Sequence, residues 1–132
     1  VSPMLNPKQL SFLIDIDGSI SSDPPAFCDL MCALKADGNR VYVVSGSSPD
    51  SPSGPTWADK AAYLNKVGVT QCWDQLVVVS GDIPAQKALW CQQHGIDVAI
   101  DNDKNNAQAM IQAGVALVLV PWATRTPQKG QK

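Results

Sequence analysis

Five short apolar runs rich in β-branched residues alternate with stretches of helical periodicity along almost the whole chain, and this alternation leaves few folds open. The runs fall at about 10 to 15, 40 to 44, 76 to 79, 96 to 100 and 115 to 120. Ser21-Ser22-Asp23-Pro24-Pro25 offers capping residues and prolines suited to a first helical turn, and Phe27, Leu30, Met31 and Leu34 then recur at spacings of three and four. That predicts a helix to about 36, stopped by Asp37-Gly38-Asn39. Later helices are expected from Thr56 or Asp59 to Gly68 with Trp57, Ala61, Leu64 and Val67 inward, from Pro84 to about 93, and over 105 to 113. Residues 69 to 73 read as a short extended piece, 49 to 55 as an exposed Pro/Ser/Gly loop within a Pro/Ser-rich stretch spanning 47 to 55, and 121 to 132 as a loosely held tail. Strands alternating with helices require crossovers that cover both faces of a parallel sheet. The expected fold is α/β, a three-layer Rossmann-like domain with a five-stranded parallel sheet, spanning residues 1–132 as one unit. With 132 residues, 45% of them apolar, one core can be filled.

In an open sheet of this kind the ligand crevice lies outside the carboxyl ends of the strands. The first run, Phe12-Leu13-Ile14, passes directly into Asp15-Ile16-Asp17-Gly18-Ser19. The second ends in Ser45-Gly46, and the fourth ends in Asp101-Asn102-Asp103. Lys87 stands near the start of the helix before the fourth run. Singly, each has an ordinary role: Asp and Gly make turns, Ser45 ends a strand, Lys87 is a solvated helix residue, and Asp82 and the 101–103 cluster cap helices. Brought to one rim they make an oxygen-only donor set with one ammonium, which suits Mg²⁺ and a phosphoryl group.

Asp15-Ile16-Asp17-Gly18-Ser19 resembles the first motif of the haloacid dehalogenase superfamily of phosphotransferases. Val43-Val44-Ser45-Gly46 resembles its second motif, Lys87 its third, and Ala99-Ile100-Asp101-Asn102-Asp103 its fourth. The resemblance implies a capless Mg²⁺-dependent phosphatase in which Asp15 is the nucleophile that forms an aspartyl-phosphate. Asp17 would be the general acid and base, and Ser45, Gly46 and Lys87 would hold the phosphoryl oxygens. Asp15, Asp17 and Asp101, with Asn102 or Asp103, would hold the metal. The loop layout is similar to the phosphatase domain of phage-type polynucleotide kinase-phosphatases, with Ser47 where those carry arginine. It implies a polynucleotide 3'-phosphate as substrate, with a nucleotide or sugar phosphate, or a non-catalytic binding domain, as alternatives. An open site of this kind could also borrow a lid from a second copy in a homo-oligomer.

The net charge of -2, and only two arginines, Arg40 and Arg125, exclude a broad basic face for nucleic acid. All acidic residues are aspartates, a bias for which we have no physical account. Cys28, Cys32, Cys72 and Cys91 form no CxxC pair. They read as reduced core residues of a cytoplasmic protein, with Cys28 and Cys32 sharing a helix face and zinc disfavoured. His94, the only histidine, complements a helix end. No apolar run reaches the roughly 20 residues of a membrane span, and Val1-Ser2-Pro3-Met4 lacks the regions of a signal peptide.

Overall fold

The computed structural model describes residues 9–47, 57–69 and 71–121; the expected loop at 49–55, the helix start at Thr56 and the tail beyond 121 lie outside them. The elements run β1 (Ser11–Ile14), a 3-10 turn (Ile20–Ser22), α1 (Pro24–Ala36), β2 (Arg40–Gly46), α2 (Trp57–Lys66), β3 (Gln75–Val79), α3 (Ile83–His94), β4 (Val98–Ile100), α4 (Lys104–Gln112) and β5 (Leu117–Leu119). All neighbouring strands pair in parallel, in the order β3-β2-β1-β4-β5. The five-stranded parallel sheet and its three-layer arrangement are as the sequence predicts. Of the expected extended piece at 69–73, the described residues form no strand: Val69 is buried at a turn, and its carbonyl accepts from the Trp73 indole at 2.8 Å.

Helix starts follow the chemistry of their caps. The Asp23 carboxylate accepts from the Ala26 amide at 3.2 Å and Asp82 from Ala85 at 3.3 Å, each with a proline in the first turn that follows. Gly95 ends α3 at φ 61, a left-handed position that favours glycine.

Because side chains alternate along a strand, each strand feeds two cores. Ile14, Val41, Val43, Leu76 and Ile100 pack with Phe27 and Met31 of α1 and Leu64 of α2. Leu13, Val44 and Ala99 pack on the other face with Trp90 and Cys91 of α3 and Met110 of α4. Leu30, expected on the buried stripe of α1, is 40% exposed, because the helix presents only Phe27 and Met31 fully to the sheet. His94 stacks on Trp90 with ring centroids 3.9 Å apart, so it packs against the helix's own aromatic rather than only facing solvent.

The amino ends of the strands are tied by side chains. Asn39 Oδ1 accepts from the Leu10 amide at 3.0 Å, Asp97 Oδ2 from Ser11 at 2.9 Å, and Asp74 Oδ2 from Val41 at 2.7 Å. Asp74 also accepts from Lys35 Nζ at 2.6 Å, and although burial opposes ionisation, these bonds hold its carboxyl below the usual range. The polar residues at this end are occupied in holding the sheet together.

Leu13→Ala should cost about 2–5 kcal/mol of stability, whereas Leu119→Ala, on an edge-strand side chain 46% exposed, should cost far less. Urea unfolding followed by circular dichroism checks the contrast, and equal losses would contradict the assignment of Leu13 to the second core.

Candidate functional site at the strand carboxyl ends

The chain builds outward from β1 to β2 and β3, then returns to place β4 and β5 on the other side of β1. The order therefore reverses between β1 and β4, and the crevice at such a reversal is where α/β sheets hold ligands. Asp15 follows β1 and Asp101 follows β4. Their backbones extend the ladder, with Asp15 N donating to Ile100 O and Asp101 N to Leu119 O, both at 3.0 Å. Strand alternation puts both carboxylates on the α3/α4 side, in phase with Leu13 and Ala99.

Lys87, one turn into α3, meets them there. Its ammonium donates to Asp15 Oδ1 at 2.7 Å and to Asp101 Oδ2 at 2.6 Å, and the residue is 1% exposed. Asp101 is further fixed by Asn106 Nδ2 at 3.2 Å on Oδ2 and by the Asp103 amide at 2.9 Å on Oδ1. Two buried carboxylates thus share one ammonium. Burial works to lower the Lys87 pKa, but the two aspartates outweigh it and hold the lysine charged. Burial also pushes Asp15 up to about 6; Lys87 opposes this, and the charge of Asp101 adds to it. The two shifts are compatible because one ammonium neutralises only one of the two carboxylates.

The remaining residues divide. Asp17 leaves the sheet, its side chain 73% exposed, and accepts from Lys60 Nζ of α2 at 2.8 Å. Asn102 faces the site: with its nitrogen turned inward it donates to Asp15 Oδ2 at 3.0 Å and to the Asp17 carbonyl at 2.6 Å. Gly18, at φ 83, permits this approach, since a Cβ there would collide with the Asn102 carboxamide. Asp103 caps α4, its Oδ1 accepting from Asn105 and Asn106 amides at 2.8 and 3.0 Å. Gly46 lets the end of β2 approach α3, where a Cβ would strike Ile83. Ser45 is in phase with Val43, on the opposite face from Lys87; its Oγ is buried without a hydrogen-bond partner among the described residues. Asp15, Asp17, Gly46, Lys87, Asn102, Asp103 and their neighbours line a cleft of about 220 Å³. A wider groove of about 490 Å³ lies between α3 and α4, lined by Pro84, Leu89 and Ala109, away from the carboxylates.

Lys60 was not singled out by sequence, although the signal existed. It falls one turn before Leu64 on a helix expected to turn Trp57, Ala61 and Leu64 inward, so a lysine there must be buried or satisfied. It is 6% exposed. Trp57 itself, contrary to expectation, is 52% exposed and touches the sheet through its indole, which donates to the Leu76 carbonyl at 2.7 Å.

No protein-family model matches the chain, and no curated protein matches it. Among solved structures, the chain is similar to a universal stress protein in complex with cAMP, at 12% identity and a TM-score of 0.59, over 86% of this chain and 98% of that one. It is also similar to a protein of the universal stress protein family from Burkholderia pseudomallei, at 17% identity and a TM-score of 0.49, over 84% and 95%. The likeness is one of fold. It corrects the resemblance to haloacid dehalogenases, because universal stress proteins are a different Rossmann-like superfamily. The Mg²⁺-dependent phosphatase, its aspartyl-phosphate on Asp15, the acid and base role of Asp17 and the polynucleotide 3'-phosphate substrate are withdrawn with it. The physical reason is that carboxylates, a strand-end Ser-Gly and a helix lysine at a sheet's reversal point suit polar ligands of many kinds, so their order along the chain does not specify a reaction. In the structure Asp17 pairs with Lys60, Ser45 lies on the other face of the sheet, and Lys87 contacts Asp15, as the resemblance implies, as well as Asp101.

The cysteine expectation is also corrected. Cys32 and Cys72 form a disulfide, with Cα atoms 4.7 Å apart, leaving Cys28 and Cys91 free. Free thiols therefore no longer support a cytoplasmic assignment. Among the described residues, no helix is long and apolar enough to cross a membrane.

Lys87→Met leaves two buried carboxylates without their cation and should destabilise the fold by about 3–5 kcal/mol. For Asp15, whose folded pKa is raised, wild-type stability should fall as pH rises from about 4 to about 6, because the folded state must then ionise a buried acid. Asp15→Asn should flatten that limb and be the more stable protein at pH 7. Thermal melts of the three proteins across this range check both statements.

Proposed function

We propose that the strand-end cleft binds a phosphate-bearing nucleotide together with Mg²⁺, and that the chain acts as a binding domain. The observation that carries the reading is the meeting of Asp15 Oδ2, the Asp17 carbonyl and the Asn102 carboxamide. With the Asn102 nitrogen inward, the group closes on itself through hydrogen bonds. With its oxygen inward, three oxygens face one another, and a cation is the group that reconciles them. An all-oxygen set with one carboxylate, one carbonyl and one amide oxygen fits Mg²⁺, which keeps several waters and takes its remaining ligands from phosphate. Bound there, the ion would supply the positive charge that a phosphate beside two aspartates requires. Asp101 holds Lys87 in position from behind, and Gly18 leaves room for the Asn102 carboxamide.

The cleft is smaller than the roughly 300 Å³ at which small-molecule pockets begin. It suits the phosphate end of a ligand, with the remainder extending over Gly46 and Ser47. The nucleotide class is supported by the cAMP bound to the similar universal stress protein.

Titration calorimetry of the full chain with AMP and ADP, with Mg²⁺ and with chelator, tests the reading. Binding should require Mg²⁺, and Asn102→Leu should weaken the Mg²⁺-dependent binding at least tenfold, with circular dichroism confirming that the fold is retained. Binding that is indifferent to chelator, or no nucleotide binding in either condition, would overturn it.

A further inference from the structure

On the α1/α2 side of the sheet, away from the cleft, three cysteines from two segments converge. Cys28 and Cys32 lie one turn apart on α1, and Cys72 comes from the turn before β3. Cys28 Sγ is 4.0 Å from Cys32 Sγ and 4.0 Å from Cys72 Sγ, and all three sulfurs lie within 4.8 Å of one another. Cys72 is buried, Cys28 half-buried and Cys32 exposed, so the cluster has an apolar floor and an open mouth. We propose that, when reduced, Cys28, Cys32 and Cys72 form a three-thiolate site for a thiophilic cation of the Zn²⁺ or Cu⁺ type.

Geometry supports this beyond the count of sulfurs. Sulfurs bound at about 2.3 Å to one tetrahedral zinc lie about 3.8 Å apart. Cys28 already stands near that distance from both partners. The third edge is the Cys32–Cys72 disulfide, which a reductant must first open, either a phosphine, which takes oxygen from water and becomes its oxide while the two sulfurs take the protons, or a dithiol by exchange. In that exchange the dithiol becomes a disulfide, and Cys32 and Cys72 together gain two electrons and two protons. The cation then displaces the thiol protons to solvent, and a fourth ligand position faces the exposed side of Cys32. All-sulfur donors select thiophilic ions over Mg²⁺, so this site and the oxygen-lined cleft do not compete. The i, i+4 pair on one helix gives the chelate its rigidity, and Cys72, held next to a buried core that includes Leu64 and Val69, completes it.

The test uses the full chain, reduced with a phosphine and titrated with Cd²⁺ while the sulfur-to-cadmium ultraviolet band is recorded, followed by competition with Zn²⁺ and native mass spectrometry. One ion per chain is expected, and none in the oxidised protein. Cys32→Ser and Cys28→Ser should each weaken binding by at least the roughly 10–100-fold that loss of even a supporting partner costs a metal site. Cys91→Ala, on the other face of the sheet, should leave it unchanged. Cys32 is exposed and Cys28 half-buried, so these variants avoid the fold loss that Cys72→Ser could bring. No band in the reduced protein overturns the proposal, as does Cd²⁺ affinity that survives Cys28→Ser, which would reduce the site to a two-sulfur chelate.

Discussion

A buried ammonium between two buried carboxylates governs the functional end of this molecule. Lys87 donates to Asp15 and Asp101 at 2.7 and 2.6 Å, and so joins α3 to the ends of β1 and β4 where the strand order reverses. Such a group is costly to desolvate, and removing Lys87 leaves two buried carboxylates without a cation. The surrounding bonds are what make it tolerable: Asn106 and the Asp103 amide occupy Asp101, and Asn102 faces Asp15. Burial, with a smaller contribution from the charge of Asp101, raises the pKa of Asp15 against the pull of Lys87, and a cation brought by a ligand would favour its ionised form.

The two faces of the sheet carry different chemistry because β-strand side chains alternate. Asp15 and Asp101 share phase with Leu13 and Ala99 and meet α3. Ser45 shares phase with Val43 and turns away. The α1/α2 face instead holds the disulfide and its neighbouring thiol, together with Lys60, which reaches round to Asp17. A one-residue shift in any of these strands would exchange the two sets.

The departure from the haloacid dehalogenase reading has the same origin. Its four motifs are short, and each contains residues that any doubly wound sheet favours at its strand ends: Asp and Gly for turns and caps, Ser for a strand terminus, Lys for a helix beneath the rim. Their order follows from the order of the strands. The fold is shared with a universal stress protein, of a different superfamily, so the arrangement is informative about where a ligand lies rather than about a reaction.

Local pattern in the sequence determined the five strands, the four helices, the helix caps at Asp23 and Asp82, and the rim on which polar residues gather. These depend on near neighbours in the chain: apolar spacing, capping oxygens, prolines and glycines. It also placed Asp15, Lys87 and Asp101 at one end of the sheet, because strand direction alone does that. Tertiary structure decided which of the rim residues touch. It drew Asp17 outward to Lys60, aimed Asn102 at Asp15, and brought Cys72 to Cys32 across 40 residues of sequence. Those outcomes rest on strand order and side-chain phase between segments distant in the chain, which no local spacing encodes.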